Sequence, residues 1–454
     1  MIGYEFEFLV REGDIPLTRS TFLKFHEELK KRGWKNKFDP DTKGLLGSHK
    51  DGIAVVTDDG INNMEIEMPP TETIAESHAR LEKLLEELQS IYKSLGASIV
   101  GIGVFPGPID LKLIDYKSWI ITSRICQKSF IHNVVPKRWR EHYWTQLFSG
   151  IHVWLDLPKN EIIRHLSIFN RLHPFFVALF ANGPVFDQKE LGVLEGRNAL
   201  WIRELKTSTI PYDFNIYGMY TAEYKTIFDY FDFLLDDPLY FSTRGDVAFS
   251  LKDKKKTNRE HLFSKESTAL WGHGGEFSAK PELIDFFWLQ NATFPHTRLK
   301  FFFRDGVMLE EILTAIKNKD EPAFLKCFKK FCFEIRTASA QKKEELSTAP
   351  ALYLGLQSNL EKAEKFANKF SYDELLSLYE KAEKKGLQDD PKILEGAKEL
   401  LSIAREGLEK RGEGEEKYLA PLLERIKTGK NPADELLEIW RKDGLAGIWE
   451  ARDF

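Results

Sequence analysis

The first residues of the chain alternate strictly between two kinds of side chain. Apolar residues at positions 2, 4, 6 and 8 alternate with Gly3, Glu5 and Glu7. This is the period of a β-strand that is buried on one face only. Side chains two residues apart on a strand point the same way, so Glu5 and Glu7 must project together from the other face. The chain is therefore expected to open with a sheet strand that has one apolar and one acidic face.

A second predicted strand has the same composition. Glu65 and Glu67 lie between three apolar residues at positions 64, 66 and 68. Neighbouring carboxylates repel each other unless water or a cation separates them, and oxygen ligands are those that Mg²⁺ prefers. Two interpretations stay open for the pairs Glu5/Glu7 and Glu65/Glu67. They lie either on the solvent-exposed faces of edge strands or in the walls of one cleft that binds Mg²⁺.

A third predicted strand, Arg298–Arg304, is basic on one face. Arg298, Lys300 and Arg304 share that face with Phe302. Three cations on one face need anions close by, so binding of phosphate or carboxylate is a natural role. The alternative is a structural network of ion pairs with the acidic strands. His152, between the β-branched residues Ile151 and Val153, fits hydrogen-bonded packing better than metal ligation.

The composition excludes several classes of protein. With 65 Lys and Arg against 70 Asp and Glu, the net charge of the 454 residues is −5, so a role in binding nucleic acid is not expected. A membrane span needs about 18 consecutive apolar residues, and no such run occurs. The N-terminus does not resemble a signal peptide, and three cysteines fit a reducing compartment. We expect a cytoplasmic protein.

Two structural units are expected, 1–305 and 306–454. The first mixes the strands above with further predicted strands at Ser98–Phe105 and 151–157 and with helices, one of which begins at the capping-box pair Thr73 and Glu76. This predicts an α+β fold with a mostly antiparallel sheet. After residue 305 nearly everything is predicted to be helical. The segment Lys252–Pro281 is expected to be a mobile surface loop.

The segment Gly3–Glu7 resembles the Gly-x-Glu-x-Glu strand of glutamate–cysteine ligases of the plant and proteobacterial type. The resemblance covers most of the chain, and it rests on the order of the matching segments rather than on any one of them. Those that recur in the same order are 63–73, 101–103, 180–184, 192–197, 237–244, 293–300 and 404–412.

That family implies a fold and an activity. The fold is a glutamine-synthetase-like antiparallel sheet that cups the active site, followed here by a C-terminal helical domain. The activity joins the γ-carboxylate of glutamate to the amine of cysteine, using ATP and Mg²⁺, as a step in glutathione biosynthesis. The implied partners are small molecules only, namely glutamate and cysteine or another amine, and the protein is expected to be a monomer or a homodimer.

The resemblance also implies roles for individual residues. Metal ligands would be Glu5, Glu7 and Glu65, while Arg298 and Arg304 would face the phosphates or the transferring group. Arg197 and Arg244 would contact ATP or substrate. Three further candidates come from their place on the predicted strands rather than from the resemblance: Glu67, which replaces a small residue of the family, as a metal ligand, Lys300 as a catalytic cation, and His152 as a substrate contact.

The sequence departs from the family at several of these places. His152 and Trp154 stand where the family has glutamine and asparagine, and Phe302 stands where a glutamate is expected. Asn63 replaces a glutamine, and most of Asp110–Leu147 has no clear match. Two alternatives therefore stay open beside glutamate–cysteine ligation. One is a ligase of the same fold that joins another acid or amine, and the other is a ligand-binding homologue without turnover.

Overall fold

The structure is a computed structural model of the chain. It describes residues 1–38, 43–58, 60–109, 144–200, 217–219, 223–239, 242–245, 247–253, 255–271, 275–291 and 294–454. Most of the segment Asp110–Leu147, for which the sequence offered no family match, lies outside the described residues.

Strands in the described residues belong to one large sheet and several small ones. Their bounds are β1 (Ile2–Glu12), β2 (Ile15–Pro16), β3 (Lys35–Phe38), β4 (Leu45–Lys50), β5 (Ile53–Thr57), β6 (Asn63–Thr71), β7 (Ala97–Val100), β8 (Gly150–Leu157), β9 (Val185–Phe186), β10 (Lys189–Glu190), β11 (Tyr217–Gly218), β12 (Ser242–Arg244), β13 (Val247–Leu251), β14 (Ser267–Trp271), β15 (Glu276–Ala279), β16 (Phe294–Pro295), β17 (Thr297–Phe303) and β18 (Phe328–Ser339).

Helices surround the large sheet and form most of the last third of the chain. Their bounds are α1 (Arg19–Lys31), α2 (Ile74–Ser94), α3 (Ile162–Phe180), α4 (Ile227–Asp236), α5 (Asn258–Leu262), α6 (Leu283–Trp288), α7 (Leu309–Asn318), α8 (Glu321–Lys326), α9 (Thr348–Ser358), α10 (Leu360–Ala367), α11 (Tyr372–Lys385), α12 (Pro391–Arg411), α13 (Ala420–Thr428) and α14 (Pro432–Arg452).

The large sheet has the strand order β17-β18-β8-β1-β6-β5-β4-β3, and β2 and β7 also pair with β1. Its described pairings are all antiparallel. The strand predicted from residues 2–8 lies near its middle as β1, flanked by β6 and β8. The predicted α+β fold with a mostly antiparallel sheet is therefore confirmed.

One face of this sheet forms the core. Phe6, Val153 and Phe333 are buried on it, each at most 2% exposed, beneath α3, which is buried along almost its whole length. Helix α3 packs against β17 and β18, and α9 packs against β8. Because side chains alternate along a strand, the residues between these apolar positions face the opposite side, where Glu5, Glu7 and His152 lie.

Side-chain caps begin several helices, among them the predicted cap at Thr73. The Thr73 hydroxyl accepts a hydrogen bond from the Glu76 amide at 3.2 Å where α2 begins. The Ser371 hydroxyl accepts from the Glu374 amide at 3.2 Å where α11 begins, and Asn431 caps α14. Each such cap is typically worth about 1 kcal/mol of helix stability.

The prediction that residues 306–454 are almost wholly helical is wrong at β18. This strand of 12 residues lies inside the large sheet, between β17 and β8. Phe324, Phe328 and Phe331 are spaced as on a helix face, which hides the start of the strand. The sheet therefore continues across the boundary expected between 1–305 and 306–454.

Two further predictions need correction. The segment Lys252–Pro281, expected to be a mobile loop, contains α5 and the antiparallel strands β14 and β15 in its described part. The strand expected at Ser98–Phe105 ends at Val100, since residues 101–105 form only an isolated bridge at Val104. Among the described helices, none combines the length and the apolar character that crossing a bilayer would require.

Candidate active site

The acidic residues of β1 and β6 lie on one face of the large sheet. Glu5 is directly opposite His152 on β8 and opposite Glu67 on β6, and Glu7 is opposite Glu65. Residues that pair directly across antiparallel strands project from the same face. The two predicted carboxylate pairs are therefore brought together, and they lie in the middle of the sheet rather than on edge strands.

The basic residues of β17 lie on the same face, joined by two residues of β18. Arg298 is directly opposite Glu334, and both oxygens of that carboxylate accept hydrogen bonds from its guanidinium. Lys300 Nζ lies 3.5 Å from Glu334 Oε2. Arg336 Nη1 lies 2.5 Å from Glu334 Oε1. Glu334 is thus a fully buried carboxylate held by three cations.

These neighbours determine the protonation state of Glu334. Burial alone would raise its pKa, but Arg298, Lys300 and Arg336 hold it well below the usual value. Burial and the nearby Arg298 lower the pKa of Lys300 to about 8. At neutral pH the carboxylate is therefore ionised and the lysine is still mostly charged. An ion network of the kind that was one alternative for the basic strand therefore exists, with Glu334 of β18 as its central anion.

His152 lies where the acidic and basic residues meet. Its Nδ1 is 3.3 Å from Glu5 Oε2 and 3.8 Å from Glu334 Oε1, and its Nε2 is 3.5 Å from Glu7 Oε1. Burial, together with the Arg336 charge, holds the pKa of His152 well below its usual value, so the ring is neutral. One donor atom each from Glu5, His152 and Glu334 lie within 4.8 Å of one another.

The remaining carboxylates on this face crowd one another. Burial and Glu334 raise the pKa of Glu5 to about 7. Burial and Glu7 raise the pKa of Asp58 to about 7, although part of this residue is exposed at the surface. Burial and Glu5 raise the pKa of Glu65 well above its usual value. Such a set of oxygens, short of positive charge, suits a divalent cation.

Arg197 reaches the same cluster from the segment after β10. Its Nη1 lies 4.0 Å from Glu7 Oε2, and its Nη2 donates to the backbone carbonyl of Arg336. Arg197 is only 5% exposed. The structure therefore places it beside the carboxylates, and its contact with ATP or substrate stays a prediction.

Two predicted site residues do not join the cluster. Arg304 follows the end of β17, beyond a bulge in the β17–β18 pairing, and its guanidinium is half-exposed and pairs with Glu311 at 3.1 Å. Arg244 lies on β12, in a separate four-stranded sheet. Asp285 accepts from its two terminal nitrogens at 2.7 and 2.9 Å. Their roles toward phosphate, ATP or substrate stay predictions.

A pocket of about 560 Å³ adjoins Glu5 on this face. Its walls are largely apolar, and Phe302 is 43% exposed in it. Lys300 Nζ lies 4.7 Å from the centre of the Trp154 ring, one of these walls. Glu67 is exposed at the rim of the pocket rather than buried in the carboxylate cluster.

Three residues of this site were not predicted from the sequence, namely Asp58, Glu334 and Arg336. Glu334 and Arg336 alternate with Phe333 and Ile335, which is the pattern of a half-buried strand and could have revealed them. Asp58 follows β5 in a turn, and no local pattern marks it.

Known proteins resemble this chain along most of its length. The family model "Glutamate-cysteine ligase family 2(GCS2)" matches residues 1–450. The chloroplastic glutamate–cysteine ligase of Solanum lycopersicum is 25% identical over 394 residues, which are 83% of this chain and 64% of the relative. That of Medicago truncatula is 25% identical over 399 residues, 85% of this chain and 66% of the relative. This chain thus covers slightly less than two thirds of these curated relatives.

A solved structure shares the fold. The glutamate–cysteine ligase of Francisella tularensis, in complex with AMP, aligns with a TM-score of 0.53 and 14% sequence identity. The alignment covers 99% of this chain and 86% of that one. It supports the expected sheet architecture.

Proposed function

Because this chain belongs to glutamate-cysteine ligase family 2, we propose that it is an ATP- and Mg²⁺-dependent carboxylate–amine ligase. It joins the γ-carboxylate of glutamate to the amine of cysteine through an acyl phosphate. The observation that carries this proposal is the cluster of carboxylates, His152 and cations on one face of the sheet. The names of the plant relatives and the AMP in the Francisella tularensis structure support it.

The donor set fits Mg²⁺. Metal ligands must be deprotonated, and a bound cation would favour the ionised form of Glu5, Asp58 and Glu65, whose pKa values are raised. These three carboxylates and Glu7 would supply oxygens to the cation, with the neutral His152 ring beside them. Mg²⁺ held by these residues would offset the negative charge that develops during phosphoryl transfer.

The cations of this chain have their own part in the proposed reaction. A free carboxylate is a poor acyl donor, and phosphorylation by ATP activates it for attack by the amine. Fixed positive charge then stabilises the oxyanion that forms. Arg298, Lys300 and Arg336 are held in place by Glu334, so they provide that charge without rearrangement. The apolar pocket beside Glu5, with Trp154 in its wall, takes the apolar part of a substrate.

The direct test measures ADP release by the purified chain. We expect glutamate plus cysteine to stimulate ATP turnover only when Mg²⁺ is present, with γ-glutamylcysteine as the product. Glu5→Gln should abolish turnover without unfolding the protein, whereas Glu399→Gln, at an exposed ion pair with Lys369, serves as the matched control. If no pair of acid and amine stimulated ATP turnover, the ligase proposal would fail.

A different acceptor amine is the second candidate. The pocket beside Glu5 is larger than a cysteine side chain needs, and Trp154 and Phe302 line it. A screen of different amines, each with glutamate as the acid, distinguishes a ligase specific for cysteine from one that uses another amine. Tight nucleotide binding without turnover of any amine would instead indicate a ligand-binding homologue.

The cytoplasmic location and the monomeric or homodimeric state are also proposals. The few cysteines support the location, although the relatives named above are chloroplastic. Cell fractionation tests the location, and light scattering of the purified protein tests the oligomeric state.

A further inference from the structure

Gly150 occupies the first position of β8, on the face that carries the candidate active site. It pairs with Ser339 of β18. The space where a side chain would stand at Gly150 is filled by the guanidinium of Arg197. A Cβ atom at this position would lie 1.9 Å from Arg197 Nη1 and 2.9 Å from Arg197 Cζ. Any other residue at 150 would therefore displace the guanidinium.

In this position the guanidinium of Arg197 links two strands of the site. Nη1 is 4.0 Å from Glu7 Oε2 on β1, and Nη2 donates to the carbonyl of Arg336 on β18. Arg336 in turn contacts both Glu334 and the His152 ring. A shift of Arg197 therefore disturbs the residues that would hold substrate and metal. Nε of Arg197 is buried and has no hydrogen-bond partner among the residues that the structure describes.

The backbone of Arg197 has little freedom to compensate. The fully buried carboxylate of Glu195, two residues earlier, accepts hydrogen bonds from Ser339 Oγ at 2.9 and 3.0 Å. A Cβ at Gly196 would lie 2.1 Å from the carbonyl oxygen of Gly183, which shows how closely the two segments approach. With its backbone fixed, Arg197 cannot retreat without withdrawing its guanidinium from Glu7.

We infer that Gly150 is a positioning residue. Because it has no side chain, it leaves the space in which the Arg197 guanidinium lies close to Glu7 and to the Arg336 carbonyl. The inference rests on the proposed ligase function. It acts on the reaction through Arg197 and involves no contact between Gly150 and substrate.

The test is a double-mutant cycle of Gly150→Ala and Arg197→Lys. The ammonium of lysine lacks the Nη1 atom that the new methyl group would strike. We expect Gly150→Ala to lower the urea midpoint of unfolding and the double variant to regain most of that loss. If the double variant were no more stable than Gly150→Ala alone, a clash with the Arg197 guanidinium would not be the reason why position 150 needs a glycine.

Kinetics provide the readout that a purely structural role would leave unchanged. Displacing an active-site group by about 1 Å can cost about 10²-fold in rate. We therefore expect Gly150→Ala to lower kcat/KM by about that factor, and the loss in the double variant to be no larger than that in Arg197→Lys. A destabilised Gly150→Ala protein with wild-type kcat and KM would overturn the positioning role.

Gly396 on α12 offers a matched control. A Cβ there would lie 2.2 Å from the ring of Phe175, a comparable clash far from the site. Gly396→Ala should lower the urea midpoint without changing kcat/KM, and Arg197→Lys should not restore its stability. Restoration there would overturn the specific link between Gly150 and Arg197. If the wild-type protein turned over no ATP, the proposed function would fail. The unfolding measurements on the double-mutant cycle would still show whether Gly150 and Arg197 are sterically coupled.

Discussion

Arg298 and Glu334 lie directly opposite each other on β17 and β18, and both carboxylate oxygens accept hydrogen bonds from the guanidinium. Both side chains are almost completely buried. A buried ion pair is costly to form, but it is more costly to leave one of its members alone. Glu334 therefore determines whether Arg298, Lys300 and Arg336 can remain in the site together.

Glu334→Gln should destabilise the protein by about 3–5 kcal/mol, the range found when one partner of a buried ion pair is removed. The variant leaves three buried cations without their shared anion. Urea unfolding monitored by circular dichroism measures the change, and ADP release should be lost as well.

Glu311→Gln is the matched control for that variant. Glu311 also pairs with an arginine of the same part of the chain, Arg304, but their side chains are 40% and 50% exposed. Such exposed pairs contribute about 0–1 kcal/mol. Equal losses of stability in Glu334→Gln and Glu311→Gln would contradict the central role of Glu334.

Glu65→Gln should act in the opposite direction on the protein without metal. Burial and the nearby Glu5 and Asp58 raise the pKa of Glu65 well above its usual value, so its charge is unfavourable there. Removing that charge should raise the unfolding free energy at pH 8, because a carboxyl group with a raised pKa destabilises the folded state once the pH exceeds its unfolded pKa.

The same variant should weaken binding of a divalent cation. Titration with Mn²⁺, followed by electron paramagnetic resonance, should show lower affinity in Glu65→Gln than in the wild type. A variant that is less stable without metal, or one that binds Mn²⁺ as the wild type does, would contradict the cation cleft.

Local patterns in the sequence were enough to predict part of this site. The alternation around Glu5, Glu65 and Arg298 is visible within a few residues, so those strands and their polar faces were predictable. Which strands become neighbours is not visible locally. His152 was expected to be a packing residue because its contact with Glu5 joins positions 147 residues apart.

Glu334 was missed for a related reason. The phenylalanines before it are spaced as on a helix, so β18 was hidden within a region predicted to be helical. The partner of Arg244 was equally out of reach, because Asp285 lies on a different element of the fold. Sequence patterns thus indicated the chemical groups of the site, while the long-range pairing of strands decided which of them meet.

Asp285 should make stability depend on pH in the acid range. Burial would raise its pKa, but hydrogen bonds from His261, Arg244 and Ser242 lower it to about 2. A group with a lowered pKa in the folded state stabilises the protein above its unfolded pKa of about 4, and this contribution disappears as the pH falls through about 2.

Asp285→Asn should remove that dependence. At pH 7 the pH-dependent part of the loss in unfolding free energy is about 2 kcal/mol. The difference in unfolding free energy between the variant and the wild type should shrink steadily between about pH 4 and pH 2. Urea unfolding at a series of pH values measures it. Asp389→Asn, at an exposed position before α12, is the control, and a pH-independent difference at Asp285 would contradict the assignment.

Gly407 should be essential for the packing of α12 against α9. A Cβ at Gly407 would lie 2.0 Å from the carbonyl oxygen of Gly355, and a Cβ at Gly355 would lie 2.4 Å from that of Ala404. The two helix backbones therefore touch, and neither contact is with a side chain that could rotate away. Gly407→Ala must separate the helices, although alanine is the better helix former.

We expect this overpacking to cost about 1–3 kcal/mol of the unfolding free energy. Lys398→Ala, an exposed position on the same helix, should change stability by less than about 0.5 kcal/mol. Urea unfolding of both variants compares them directly. A Gly407→Ala protein as stable as Lys398→Ala would show that the helices can separate without loss, and that the close contact does not determine how the helical region packs.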